Sequence, residues 1–218
     1  MASPDPITQR WFDPSTVSVV IEPNVPAVFD SDDLVGLSGA LAHSKLTVRY
    51  TGLFISLDVE HYAVRKMWRE LFFDIDRNCW AIYNRKFRIH TDYWGQDLAG
   101  RSIAIQARAA QRVGVGRILT HAVGNFHTAN HVEVDERWSG YWVWPRIGFD
   151  ADIPAAIRPR LSAAFQGCRR LSELVATEAG EQEWYRHGDS VHVEFDLSAE
   201  SSSWRTLERY TTKRDIRV

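Results

Sequence analysis

The chain has 218 residues and nearly balanced charge, with 26 lysines and arginines against 28 aspartates and glutamates. A net charge of −2 gives no electrostatic reason to expect nucleic acid or an acidic membrane surface as a partner. No apolar run approaches the ~20 residues needed to span a bilayer, no signal-peptide core follows Met1, and the two cysteines are too few for a disulfide framework. We therefore expect a cytoplasmic protein that binds neither nucleic acid nor membrane.

The first half of the chain predicts mostly strands. Residues 1–15 contain three prolines and predict a flexible, extended lead-in, followed by a single domain over residues 16–218. A short helix is expected at 32–42, with Ser31 or Asp32 as its cap. Alternating or β-branched apolar positions predict strands at 17–21, 46–50, 53–59, 79–83 and 86–91. Residues 62–73 match both strand and helix templates, and a strand is favoured because residues 74–78 form a natural turn into the strand at 79–83.

The second half alternates between helix and strand. Ile103, Ala107 and Ala110 have the spacing of one helix face, which predicts a helix at about 100–113. A strand follows at 117–123, so residues 86–123 predict a parallel βαβ unit. Apolar spacing then predicts a helical insertion at about 151–188. A strand at 191–197 and a helix at 203–210 complete the pattern.

The segment from Gly140 to Phe149 combines four aromatic residues with a proline, an arginine and two glycines. We expect its helix to end near Ile147 and the chain to turn at Gly148, because glycine takes left-handed backbone angles freely.

The βαβ unit and the Gly148-Phe149 end of this segment together resemble the GNAT superfamily of acyl-CoA-dependent N-acyltransferases, over about residues 45–150. The resemblance implies an α/β fold with a mixed, splayed sheet flanked by helices. It also implies that a loop and the helix N-terminus hold the pyrophosphate of coenzyme A through backbone amides. The positions carried over as cofactor-binding are Ile89, Trp94, Gly95, Gln96, Ala99, Gly100 and Arg101.

Three positions depart from the family pattern. Trp94 stands where the family has arginine or glutamine, and Asp97 replaces its central glycine. A carboxylate facing a phosphate at ~4 Å costs about 1 kcal/mol even in water. Trp144 occupies the place of the tyrosine that acts as general acid, and an indole cannot deliver a proton at neutral pH. Tyr141, one helical turn earlier, is the substitute acid, unless it and the neighbouring tryptophans only pack the sheet.

The transfer also needs a base that takes the proton of the attacking amine. His90 and Glu60 are the candidates, with His61 and His121 also near strand ends. His127 and His131 are four residues apart, which would pair two imidazoles on a helix, but the pattern supplies no further ligand of a zinc site. No metal is expected.

The sequence is compatible with three functions. The resemblance implies an acyltransferase that moves an acyl group from coenzyme A, or a related phosphopantetheine thioester, to the amine of a small molecule or peptide. A second hypothesis is a GNAT-like binding module without cofactor, whose tryptophan-rich cleft grips a peptide or small molecule. The third is a GNAT-fold enzyme with altered chemistry, such as decarboxylation. The sequence does not predict the oligomeric state.

Overall fold

A computed structural model describes residues 3–218. The described residues form an α/β structure with a seven-stranded mixed sheet and eight α-helices, so the expected fold class is confirmed. The strands follow one another across the sheet in the order of the sequence. They are β1 (Ser18–Ile21), β2 (Lys45–Tyr50), β3 (Ile55–His61), β4 (Val64–Asp74), β5 (Cys79–Ile89), β6 (Val115–Ala122) and β7 (Val191–Asp196).

The helices are α1 (Pro6–Trp11), α2 (Ser31–Ser38), α3 (Leu98–Arg112), α4 (Phe126–Ala129), α5 (Gly140–Arg146), α6 (Leu171–Leu174), α7 (Glu178–His187) and α8 (Ser202–Lys213). Within the described residues, no helix is both long enough and apolar enough to cross a membrane. The chain forms two compact units. The first comprises the residues up to Ile118 together with Thr211–Val218, and the second comprises Leu119–Tyr210.

The first unit is organised around strands β1 to β5. β1 pairs with β2 in parallel, and β2, β3, β4 and β5 form an antiparallel meander. The two separate strands expected at 79–83 and 86–91 are one continuous strand. Trp68 pairs with Lys86 but Arg69 pairs with Asn84, which leaves Arg85 as the extra residue of a β-bulge.

Helices α2 and α3 pack against each other in this unit through close backbone contact. Gly39 ends α2 at a φ of +64°, and a Cβ there would lie 2.6 Å from the Ser102 carbonyl oxygen of α3. Only glycine permits this approach. Gln106 of α3 donates to the Leu37 carbonyl at 2.8 Å and also pairs with the buried Asn84 amide of β5. These bonds fix α3 against both α2 and the sheet.

Arg69 is a charged residue within this core. Its side chain is fully buried, one guanidinium nitrogen donates to the Lys86 carbonyl at 3.1 Å, and its Cζ lies 4.5 Å from the centre of the Phe87 ring. Its Nε and Nη2 have no hydrogen-bond partner among the described residues. Burial lowers the pKa of Arg69 to about 9, because the charged form loses its hydration.

The N-terminal segment forms a helix instead of the expected loosely ordered lead-in. Asp5 caps α1 by accepting the Ile7 and Thr8 amides, and Pro6 is its first residue. Trp11 at its end is 4% exposed. Asp5 and Pro6 together carry the cap-then-proline pattern that begins many helices, so local sequence explains the difference.

The second unit contains the aromatic segment and the expected insertion. The helix expected before Gly148 is confirmed as α5, and Gly148 has the expected left-handed φ, at +105°. Helix in the insertion at about 151–188 is limited to α6, α7 and a single 3-10 turn at Arg158–Arg160. Pro154 and Pro159 each lack an amide donor, which opposes a continuous helix here.

A carboxylate organises this irregular stretch. Asp150 is 5% exposed, accepts from the Arg170 Nε at 2.7 Å and accepts from the Ser172 hydroxyl at 2.8 Å. The backbone closes around the pair, since the Ile153 amide donates to the Arg169 carbonyl at 2.7 Å. The hydrogen bonds that a helix would have supplied are therefore made by side chains and by pairing of the two ends of the stretch.

Candidate functional site

The loop before α3 has an unusual backbone conformation. After β5 ends at Ile89, a 3-10 turn at Thr91–Tyr93 leads to Gly95 with a φ of +87° and Asp97 with a φ of 51°. Both residues have a left-handed backbone conformation, which glycine adopts most readily and aspartate tolerates better than most residues. The chain therefore keeps a glycine-like turn at Asp97 although the residue is a carboxylate.

The N-terminus of α3 has no side-chain cap within the part of the chain that the structure describes. Asp97 is at the cap position, but its carboxylate lies 3.3 Å from the Arg214 Nε and does not accept from the helix. The first backbone amides of a helix have no acceptor within it, so Leu98, Ala99 and Gly100 present donors at the positive end of the helix dipole. This arrangement suits an anion.

Arg101 was expected to help hold the pyrophosphate, yet its guanidinium is used within the first unit. The residue is 3% exposed, its Nε donates to the Gln96 carbonyl at 3.2 Å, and Nη1 donates to Asp5 and Thr8 of the N-terminal segment. Burial alone would raise the pKa of the Asp5 carboxyl, but hydrogen bonds from the Arg217 amide, Arg101 and Thr8 outweigh it and hold that pKa well below its usual range. Arg101 therefore anchors α1 beside the loop.

Gln96 is also engaged. Its side-chain oxygen accepts from the Trp11 indole at 2.8 Å. The Trp11 ring in turn lies 5.5 Å from Tyr93 and 5.9 Å from His61. The exposed part of the loop is Trp94, which is 52% exposed and donates to the Ile89 carbonyl at 3.3 Å, together with Gly95. Of the positions carried over, Ala99 is half-buried and Gly100 is buried.

The candidate bases differ in their surroundings. His90 directly follows β5, is half-buried, and donates its backbone amide to the Ala63 carbonyl at 2.9 Å. Glu60 is exposed and lies opposite Lys45 in the register of β3 and β2. The His61 ring accepts from the Ala63 amide at 3.0 Å, and burial lowers its pKa. His90 is thus the candidate base closest in the chain to the loop.

Tyr141, the candidate acid, lies in the second unit. It is fully buried, and its hydroxyl donates to the Tyr185 carbonyl at 2.6 Å. Burial raises its pKa, and the nearby Tyr185 and Asp189 raise it further. A hydroxyl that is committed to a carbonyl and hard to ionise favours the interpretation that the aromatic segment packs the structure.

The rings around Tyr141 support the same interpretation. Trp142 lies 5.0 Å from Tyr185, and Trp144 lies 4.8 Å from Phe149. Phe149 then continues the contacts to Phe195 at 5.6 Å. The aromatic residues of this unit mainly contact one another.

His127 and His131 do not form the helical pair considered from their spacing. Helix α4 ends at Ala129, and His131 lies beyond it, where its Nε2 is 3.4 Å from a Glu136 carboxylate oxygen. Within residues 3–218, no group of three or more histidine, cysteine or acidic side chains is arranged to hold a metal ion.

Two features of this site were not expected from the sequence. Asp5 is 96 residues from Arg101 in the chain, and Arg214 is far from Asp97, so no local pattern indicates either pair. The sequence does contain a local signal for α1, because Asp5 followed by Pro6 is typical of the start of a helix, but this signal does not indicate the partner of Asp5.

The comparisons with known proteins add no family. No family model matches the chain, and no curated protein matches its sequence. The GNAT resemblance therefore rests on the residues of this chain.

Proposed function

We propose that the protein is a GNAT-like acyltransferase that binds acyl-CoA, or a related phosphopantetheine thioester, and transfers the acyl group to the amine of a small molecule or peptide. The observation that carries the proposal is the uncapped N-terminus of α3 behind an exposed loop with two left-handed residues. Backbone amides at a helix N-terminus are suitable donors for a pyrophosphate.

Asp97 is the main electrostatic objection to this function, and Arg214 reduces it. The guanidinium of Arg214 lies 3.3 Å from the carboxylate, and both side chains are partly exposed. The pair presents almost no net charge to an approaching phosphate, whereas Asp97 alone would repel it. An arriving pyrophosphate can also accept hydrogen bonds from Arg214.

The reaction would proceed by attack of a neutral amine on the thioester carbonyl. The C–N bond forms, the C–S bond breaks, the amine proton goes to a base, and the thiolate leaves. His90 is suited to the role of base, because it is half-buried at the end of β5 and close in sequence to the loop. The leaving thiolate can take its proton from water, which does not require Tyr141.

Calorimetric titration with coenzyme A and acetyl-CoA tests the proposal, using the wild type, Asp97→Gly, Asp97→Asn and the control Asp92→Asn. Asp92 is an exposed carboxylate in the turn before the loop. We expect the wild type to bind, both Asp97 variants to bind about fivefold more tightly, because removing the carboxylate that offsets the Arg214 charge is worth ~1 kcal/mol, and Asp92→Asn to match the wild type. If no variant binds coenzyme A, acetyl-CoA or phosphopantetheine, the acyltransferase proposal is wrong.

A second candidate function, a GNAT-like binding module, is favoured by one specific observation. Arg101 and Gln96, expected to bind the cofactor, and the Tyr141 hydroxyl, expected to act as acid, all make internal contacts instead. This candidate predicts that the wild type does not bind coenzyme A and that no thiol is released from acetyl-CoA with any member of an amine panel. Thiol release that depends on the amine and is lost in His90→Gln would favour the enzyme instead.

A further inference from the structure

The second unit has a cationic cleft that the proposed acyl transfer does not use. Its volume is about 140 Å³, and its lining includes Phe126, His127, Arg160, Arg186, His187 and Asp189. The residues come from three places, namely the start of α4, the 3-10 turn at Arg158–Arg160 and the end of α7. Donor groups from separate segments thus converge on one small volume.

The two guanidiniums in this cleft have no side-chain partner within the described part of the chain. Neither Arg160 nor Arg186 makes a side-chain hydrogen bond or ion pair with any residue that the structure describes, and both residues are exposed. Other arginines of the same unit do have carboxylate partners. Arg146 lies 3.0 Å from Glu181, and Arg170 lies 2.7 Å from Asp150. The Arg169 guanidinium also makes no side-chain hydrogen bond or ion pair with the described residues, but it does not line the cleft; the cleft differs in bringing two such guanidiniums together.

Helix chemistry explains only part of this charge. Arg186 and His187 lie in the last turn of α7, where cations favourably oppose the negative end of the helix dipole. Arg160 belongs to a different segment and has no such role. Asp189 is the one carboxylate among the lining residues, and its Oδ1 already accepts the Ser190 amide at 2.7 Å. The formal charges of Arg160, Arg186 and Asp189 sum to one net positive charge.

We propose that this cleft binds the phosphate group of a small phosphate monoester. A planar carboxylate is satisfied by the fork of one guanidinium, whereas a tetrahedral dianion has three terminal oxygens that can accept from donors on several sides. Two guanidiniums and two imidazoles on three segments fit the second geometry. The exposed part of the Phe126 ring offers an apolar surface to the ester group. This site lies within the second unit and does not depend on coenzyme A binding.

Calorimetric titration with inorganic phosphate and O-phosphoserine tests this proposal. We expect O-phosphoserine to bind, Arg160→Gln and Arg186→Gln each to weaken binding about tenfold or more, and the double variant to abolish it. Arg169→Gln is the matched control, because Arg169 is exposed, belongs to the same unit and does not line the cleft. Its affinity should equal that of the wild type.

A measurement without substitutions accompanies the calorimetry. Amide proton–nitrogen spectra of the wild type should show phosphate-dependent shifts at His127, Gly188 and Asp189, which line the cleft. The proposal is overturned if neither phosphate probe binds at millimolar concentration, if the double variant binds as the wild type does, or if malonate, a dicarboxylate, binds more tightly than O-phosphoserine.

Discussion

Replacing Asp5 by asparagine should destabilise the first unit strongly, although the residue is only a few positions from the N-terminus. The Asp5 and Arg101 side chains are 6% and 4% exposed, so their ion pair is buried. Asparagine keeps the size of the side chain but leaves the Arg101 guanidinium buried without a countercharge. Removing one partner of a buried pair costs about 3–5 kcal/mol. For a chain of this size, that cost lowers the melting temperature by about 6–20 °C.

Urea unfolding followed by tryptophan fluorescence measures this cost, since Trp11 ends the helix that Asp5 caps. Asp33→Asn is the control, because Asp33 pairs with Arg112 at 3.2 Å and the side chains are 25% and 64% exposed. An exposed pair contributes about 0–1 kcal/mol. The buried-pair account is refuted if Asp5→Asn and Asp33→Asn have the same free energy of unfolding.

The same pair has a consequence for pH. The pKa of Asp5 is lower in the folded protein than its ordinary value of 3.8. A carboxyl pKa that is lowered by folding stabilises the protein at pH values above the pKa of the unfolded chain. This stabilisation is lost as the pH falls through the pKa of the folded protein. The difference in unfolding free energy between wild type and Asp5→Asn should therefore be constant above about pH 5 and shrink below about pH 4. A difference that grows in acid would contradict this assignment.

Three further substitutions test other parts of the structure. Arg69→Met removes a buried guanidinium with two unpaired nitrogens, so urea unfolding should show unchanged or slightly raised stability, and a loss above about 2 kcal/mol would contradict this. Tyr141→Phe loses one hydrogen bond to the Tyr185 carbonyl and should cost about 1 kcal/mol while leaving acyl transfer within about twofold; a hundredfold loss of turnover would instead identify a catalytic acid. Gly148→Ala places a Cβ 2.5 Å from the Ser203 carbonyl oxygen at a φ of +105°, and thermal melting should show a cost above about 2 kcal/mol.

Local patterns in the sequence predicted most of the fold. Strand alternation located β5, and the stripe of Ile103, Ala107 and Ala110 located α3, because these signals come from the burial of one face. β4 has no clean apolar face in its sequence, and the turn at residues 74–78 was the signal that favoured a strand there. Alternation could not show that β5 is continuous, since the bulge at Arg85 shifts the pattern by one residue. Apolar spacing also overestimated helix in residues 151–170, where Asp150 and the prolines determine the conformation.

The candidate site was less predictable because its decisive contacts are distant in sequence. The loop and the start of α3 were expected from the chain itself, and the left-handed Asp97 lies where glycine was expected. The partners Asp5 and Arg214 come from the two ends of the chain, and no sequence spacing relates them to the loop. Side-chain pairing between the termini and the centre of a chain becomes visible only in three dimensions.

We propose that the N-terminus of α3 receives a pyrophosphate, and amide proton–nitrogen spectra recorded during a titration with coenzyme A test this binding at the residues concerned. We expect saturable shifts of the Leu98, Ala99 and Gly100 amides, because these donors have no acceptor within the helix. If coenzyme A leaves these three amides unchanged, whether or not other residues respond, α3 does not bind the pyrophosphate.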